Sequence, residues 1–174
     1  VTQTYIRQVG SGDSWTDTTD DKIGTLGRYT YTDAVGMPIS STATAGSGYK
    51  FMGWYDSNGK KVDDNMLIND GATISYTTTG DATYYARFSN SVTQTYIRQV
   101  KNGDRWTDTT NDEIGTLGRY TYTDAVGMPI SSTATAGSGY KFMGWYDSEG
   151  NKVADNMLIN DGTTISYPTT GNAP

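Results

Sequence analysis

Chemistry, if this chain performs any, has to come from oxygen and aromatic side chains. Asp13, Asp17, Asp20 and Asp21 lie close together and offer hard oxygen ligands of the kind Ca²⁺ prefers, or a carboxylate pair of the kind glycosidases use. Their spacing matches no calcium loop, and Asp56-Ser57-Asn58-Gly59 lacks the later glutamate of an EF-hand. A solvated, turn-forming acidic loop accounts for the cluster, because charge clusters usually face water. The chain has no histidine and no cysteine. That removes the Ser-His and Cys-His nucleophile systems, the usual zinc sites, disulfides and any side chain that changes charge near neutral pH at its ordinary pKa. Neither catalysis nor a cofactor is expected.

Aromatic side chains are the better candidates. Trp15 and Trp106 stand in polar, glycine-bounded segments read here as loops. An exposed tryptophan there stacks on sugar or anchors a protein partner, whereas a folded-back one is a lid on a small core. Two further motifs have plain readings. Lys50 and Lys141, with Asn65 and Asn156 downstream, contain the residue types of an isopeptide bond, but a lysine on a strand normally snorkels to water. Tyr167-Pro168-Thr169-Thr170-Gly171 is close to a sortase signal, yet its counterpart Tyr76-Thr77-Thr78-Thr79-Gly80 is an ordinary strand-to-turn passage.

These residues are positioned by a repeat. Residues 1–83 match residues 92–174 at an offset of 91, with twelve differences that fall mostly in predicted turns and loops. Two domains follow, 1–91 and 92–174, each small enough to bury only a modest core. Serine, asparagine and serine at 89–91 form the only linker, which predicts restricted bending between the modules. At 34% hydrophobic and 12% aromatic residues, with glycine, threonine and tyrosine abundant, the chain has the makings of strands and turns. A net charge of -6 without a basic stripe argues against nucleic acid. No apolar run reaches the length of a membrane helix, so membrane insertion is not expected. The pattern at both ends predicts a stretch of a longer protein.

Within a copy, 2–9 reads as a first strand, with Tyr5, Arg7 and Val9 on one face. Leu26 to Thr32 alternates and reads as a second. Asp33 to Ser47 is less regular, with a short helical turn at its start. Gly48-Tyr49-Lys50-Phe51-Met52-Gly53-Trp54-Tyr55 is the best-marked strand and recurs unchanged at Gly139–Tyr146. Strict alternation places Tyr49 and Phe51 in the core and Trp54 on the opposite face, under a loop or neighbouring domain. Gly53 then marks close approach of another backbone or ring. Asn58-Gly59 and Asn69-Asp70-Gly71 are turns, Thr73–Tyr76 a short strand and Thr83–Phe88 the last one.

The Gly48–Tyr55 stretch, followed by Ala82-Thr83-Tyr84-Tyr85-Ala86-Arg87-Phe88, resembles the Listeria–Bacteroides repeat family, typified by the B-repeat of internalin B. The resemblance covers about Ala34 to Phe88 and leaves the Trp15 segment unplaced. It implies a mainly β fold, α+β at most: two tandem β-grasp-like modules with little helix. Tyr49, Phe51, Gly53 and Trp54, with Tyr140, Phe142, Gly144 and Trp145, are then structural motif residues. It implies an extracellular, cell wall-attached surface protein of a Gram-positive bacterium. There the repeats act as stalk or spacer of an adhesin and contact other repeats of the same protein, host protein or glycan. No catalytic residues accompany the family.

Copy 2 keeps the first part of that pattern only. The counterparts of Tyr84–Phe88 fall beyond position 174. Three outcomes are open for module 2: an exposed edge that is tolerated, a repeat phased differently with Tyr84 to Val100 as a ribbon shared between units, or, the expectation here, an edge covered by strand exchange with a neighbouring chain.

Overall fold

The computed structural model describes all residues, Val1–Pro174. The chain divides into two compact units, 1–91 and 92–174. Both are built from strands, and the only helical segments are two single 3₁₀ turns, Asp64–Met66 and Asp155–Met157.

Unit 1 contains β1 (Thr2–Ser11), β2 (Ser14–Thr18), β3 (Gly24–Leu26), β4 (Thr30–Thr32), β5 (Pro38–Ala45), β6 (Tyr49–Tyr55), β7 (Leu67–Ile68), β8 (Thr73–Thr77) and most of β9 (Ala82–Thr95). They form two sheets. In the first, β1 pairs in parallel with β9 from Gln3↔Ala82 to Val9↔Phe88, while β2 and β4 pair antiparallel with the two ends of β1. β6 runs antiparallel along the far side of β9. The second sheet has the order β3-β5-β8-β7. The first and last strands of the unit are thus neighbours, and every other element belongs to the crossover between them.

The two sheets face each other across one core. Tyr5, Trp54, Ala86 and Phe88 come from the first, and Leu26, Ile39, Ala43 and Ile74 from the second. Trp54 is at 0% exposure, and its Nε1 donates to the Ala72 carbonyl at 3.1 Å, so the one polar atom of the largest core side chain is satisfied. Its ring stands edge-on to Tyr5 at 5.9 Å and to Phe51 at 6.0 Å. Complete burial of such a side chain is the largest single apolar contribution the unit contains.

This corrects the expectation for Trp54. It lies on the same face as Phe51, because the pairing of β6 with β9 slips between Phe51 and Gly53. One extra residue in a strand reverses the alternation beyond it. Gly53 sits at φ 129, a conformation open to glycine and strained for any side chain. Backbone conformation, rather than a crowding neighbour, explains that glycine: a Cβ there would make only ordinary contacts, at 3.5 Å, with Tyr55 and Lys61.

Other segments also differ from the reading of the sequence. Residues 33–36 form a turn without helix, and Pro38–Ala45 is a full eight-residue strand. Ile39, Ser41 and Ala43 alternate inward, and Ser41 is tolerated because its hydroxyl donates to the Arg28 carbonyl and accepts from the Arg28 amide. The 89–91 stretch read as a linker belongs to β9. At Asp56–Gly59 only Gly59 has positive φ. The Asp56 carboxylate fixes that turn by accepting from the amides of Asn58 and Lys60, so Glu149 replaces Asn58 in the second copy without conflict.

In unit 2 the second sheet is reproduced as β12 (Gly115–Leu117), β14 (Pro129–Ala136), β16 (Thr164–Pro168) and β15 (Leu158–Ile159), in that order. The first sheet is reproduced only in part. Residues 92–95 at the end of β9 stand where β1 stands in unit 1, and they pair with β13 (Thr121–Ala125). β10 (Gln99–Asn102) and β11 (Arg105–Asp108) form a separate hairpin. Residues 96–98 and 140–145 make no ladder, although their counterparts in unit 1 are continuous strand.

Candidate functional site

Three acidic residues of the Trp15 segment, Asp17, Asp20 and Asp21, do structural work. Asp21 pairs with the buried Arg7 guanidinium, which also donates to the Gly24 carbonyl and lies under the Tyr29 ring. Asp17 accepts from Gln8, and Asp20 from the Lys22 amide. No group of three or more acidic side chains converges to hold a metal ion. The best-formed concavities are shallow. One lies beside Thr2, Thr4, Ser57, Asp81 and Thr83, the other beside Asp56, Lys60, Lys61, Met66 and Tyr84, and neither contains a nucleophile set against a base. No helix is long and apolar enough to cross a membrane.

The distinctive surface feature is a row of side chains on the outer face of the first sheet in unit 1. Trp15 lies on β2, not in a loop, because the turn at Gly12 and Asp13 sends the chain straight back along β1 with Gly10 opposite Trp15. Its indole nitrogen donates to the Gly12 carbonyl at 2.8 Å. The parallel pairing puts Arg87 beside Gln8, and the bulge puts it opposite Gly53. The Arg87 guanidinium accordingly lies 4.0 Å from the Tyr55 ring centre and 5.1 Å from that of Trp15. Its Nε donates to Gln8 Oε1, and Gln8 Nε2 donates in turn to Asp17. Trp15 is half-buried against this row and takes no part in the core cluster. The sequence singles out Trp15 but neither Arg87 nor Tyr55. Arg87 reaches Tyr55 through the pairing of β6 with β9 and Trp15 through the pairing of β1 with β9, strands more than 70 residues apart, which no local pattern carries.

In unit 2, Trp106 lies on β11 and is 45% exposed, and Tyr146 is 48% exposed. Tyr49 and Phe51 pack against the core of unit 1, and Phe142 against that of unit 2, while Tyr140 is 50% exposed. Gly144 keeps φ 129, and Trp145 stays buried with its Nε1 donating to the Thr163 carbonyl.

A tyrosine pair, one member buried and the other half-buried, joins the two sheets' residues in each unit. The Tyr5 and Tyr76 hydroxyls are 2.8 Å apart, and Tyr76 donates to Gln3 Oε1, whose amide donates to the Gly80 carbonyl. Tyr96, Tyr167, Gln94 and Gly171 repeat the chain of bonds. Burial raises the pKa of all four phenols, and of Tyr84, above the ordinary value of 10.0. At the surface, the amides of Asn151 and Glu149 donate to Asp147 and hold its carboxyl below the ordinary carboxylate range. The Ala34 amide, with the Tyr31 hydroxyl, does the same for Asp33.

A family model described as a divergent InlB B-repeat domain matches residues 14–92 and again residues 106–168. The first match begins ahead of Trp15, so the Trp15 strand lies inside the family's unit. No curated protein and no solved structure matches the chain.

Proposed function

We propose that this chain, which belongs to the divergent InlB B-repeat family, is a structural repeat module of a bacterial cell-surface adhesin. In this reading it is extracellular and wall-attached, in a Gram-positive cell, and works as a spacer in contact with other repeats of its own protein. One observation carries the proposal: two near-identical copies in tandem, each with its own aromatic core, and with Asp17, Asp20 and Asp21 held in hydrogen bonds and an ion pair. Stability here is local to a repeat plus its neighbours, so copies can be added without altering the fold. The test is to shorten or lengthen the repeat tract in its parent protein on the cell surface. A spacer makes antibody access to a tag at the tip rise stepwise with repeat number. Access independent of repeat number would sink this reading.

A second reading has its own support. The Trp15–Arg87–Tyr55 row is a polar-edged aromatic strip on an outer sheet face, of the kind that stacks on sugar rings or anchors a protein loop. A glycan and host-protein array probed with the chain and with its Trp15→Ala and Trp106→Ala variants decides it. Binding lost in both variants favours recognition, and an array without a hit leaves the spacer.

A further inference from the structure

We infer that Asn102 and Asn58 are sites of self-modification: each loses its side-chain amide to attack by the backbone nitrogen of the glycine that follows it, Asn102 ahead of Asn58. These are the only two asparagines of the chain that precede glycine. The reaction has three requirements. The carboxamide has to be free, the next nitrogen has to be uncovered, and the link between them has to turn. Glycine helps with the last two, since it has no Cβ to screen its own nitrogen or to restrict the backbone.

Asn102 meets all three. It ends β10, opposite Arg105, and Gly103 at φ 65 with Asp104 makes the tight turn into β11. Asn102 and Gly103 are exposed. The Asn102 carboxamide and the Gly103 amide make no hydrogen bond, and nothing stands within 4 Å of where a Cβ on Gly103 would lie. A hairpin tip is also where a chain yields most easily. Asn58 is exposed with a free carboxamide as well, but its turn is tied down. The Gly59 amide donates to the Asp56 carbonyl at 3.1 Å, and the Asp56 carboxylate accepts from the amides of Asn58 and Lys60. That hydrogen bond has to break before the Gly59 nitrogen reaches the side chain. Other asparagines are held outright. Asn69 and Asn160 donate to Thr73 and Thr164 Oγ1 at 3.0 Å and precede aspartate. The carboxamide oxygens of Asn111 and Asn172 accept from the amides of Glu113 and Thr93.

The step balances without oxidant or cofactor. The glycine nitrogen forms a bond to asparagine Cγ, the Cγ–Nδ2 bond breaks, and Nδ2 leaves as ammonia with the proton the glycine nitrogen gave up. Water then adds to either carbonyl of the resulting succinimide ring. One opening gives aspartate. The other gives isoaspartate, in which the main chain runs through Cβ and Cγ. Each event consumes one water and adds one negative charge to a chain that already carries -6. The second copy shows what the fold does with that charge. Glu149 stands where Asn58 stands, and its amide donates to Asp147 as that of Asn58 does to Asp56. The aspartate form of position 58 therefore keeps its turn. The isoaspartate form places an extra main-chain atom between Asp56 and Lys60 and pulls the two amides off the Asp56 carboxylate.

The test incubates the 174-residue chain in neutral buffer at body temperature, followed by peptide mass spectrometry and by released ammonia. The peptide containing Asn102 gains one mass unit and splits into aspartate and isoaspartate forms. Asn58 follows about fivefold more slowly, the factor that one backbone hydrogen bond of ordinary net strength imposes. Asn69 and Asn160 stay intact. Ammonia matches the mass gain mole for mole, and the rate rises with pH because the glycine nitrogen attacks as its anion. In denaturant the two sites converge, since the bond on Gly59 is gone. Asn102→Ser and Asn58→Glu give each site the residue that the other copy has there, Ser11 and Glu149, so the fold is kept. Each variant silences its own site and leaves the other. The inference is overturned if neither site gains mass in the folded chain while the denatured chain reacts. It is overturned equally if Asn58 reacts ahead of Asn102, or if Asn69 or Asn160 keeps pace with Asn102.

Discussion

Residues 49–55 and 140–146 are the same seven amino acids, Tyr-Lys-Phe-Met-Gly-Trp-Tyr, yet one is a strand and the other makes only a single isolated bridge. The first lies against β9, and the second has no such neighbour. Composition cannot be the cause, so ladder formation here belongs to the pairing and not to the segment. The inward half of the segment tells the opposite story. Trp145 and Phe142 keep their ring contacts, and Gly144 keeps its backbone angle, without a strand alongside. Side-chain packing on the second sheet sets where the aromatic rings go, and main-chain pairing then sets how tightly the edge is held. Burial follows the same division. Ile23, Leu26 and Val62 are buried in unit 1, whereas Ile114, Leu117 and Val153 are only half-buried.

Substitution at the paired tryptophans tests this most severely. Trp54→Ala should cost unit 1 about 3–5 kcal/mol, the range for a large buried aromatic. Trp145→Ala should cost unit 2 distinctly less, since its surroundings are already partly open and can collapse. Denaturant titration with amide exchange resolved by unit measures both, and equal losses would break the comparison. Next comes the bulge. An alanine at Gly53 must hold φ 129 while the strand stays paired on β9, which costs on the order of 1–3 kcal/mol. At Gly144 the unpaired backbone can relax, so the same substitution should cost a smaller amount.

Alkaline titration probes the tyrosine pairs. Burial raises these phenols above 10.0 in the folded chain, and unfolding returns them to it. The stability they contribute is therefore complete below pH 10 and lost as pH climbs beyond it. Unit 1, with the half-buried Tyr84 as a further phenol of raised pKa, should lose stability more steeply than unit 2, as followed by phenolate absorbance against exchange. Identical slopes would mean that Tyr84 contributes nothing. The smallest effect is expected at the surface. Trp15→Ala removes one face of the Arg87 row and should cost about 0.5–1 kcal/mol, with Trp106→Ala costing less still. Acrylamide should quench Trp106 most, Trp15 less, and Trp54 and Trp145 least.

Strands with large side chains are legible in the sequence, as β1, β6 and β9 show. β5 is not, because Pro38–Ala45 is built of small and hydroxyl residues, and the burial of Ser41 makes sense only beside Arg28. Alternation puts Trp54 on the wrong face because it assumes an unbroken ladder. Gly53 is visible as an oddity, but whether a strand glycine marks a bulge depends on the partner strand. The Trp15 row is half legible. A tryptophan in a polar hairpin stands out locally, whereas the arginine over it arrives through a pairing set by the whole crossover.

That crossover also has a consequence in time. β1 and β9 begin and end unit 1 and pair side by side, so the sheet cannot close until Phe88 has been synthesised. Long-range pairing of this kind makes for slow folding, because the chain between must be ordered before the contact rewards it. In the meantime the nascent chain carries an alternative: residues 92–100 repeat Val1–Val9 without change. The strand that should find the first copy is therefore followed at once by an identical competitor. Faithful folding of a longer tract should rest on the earlier copy being made, and collapsing, first.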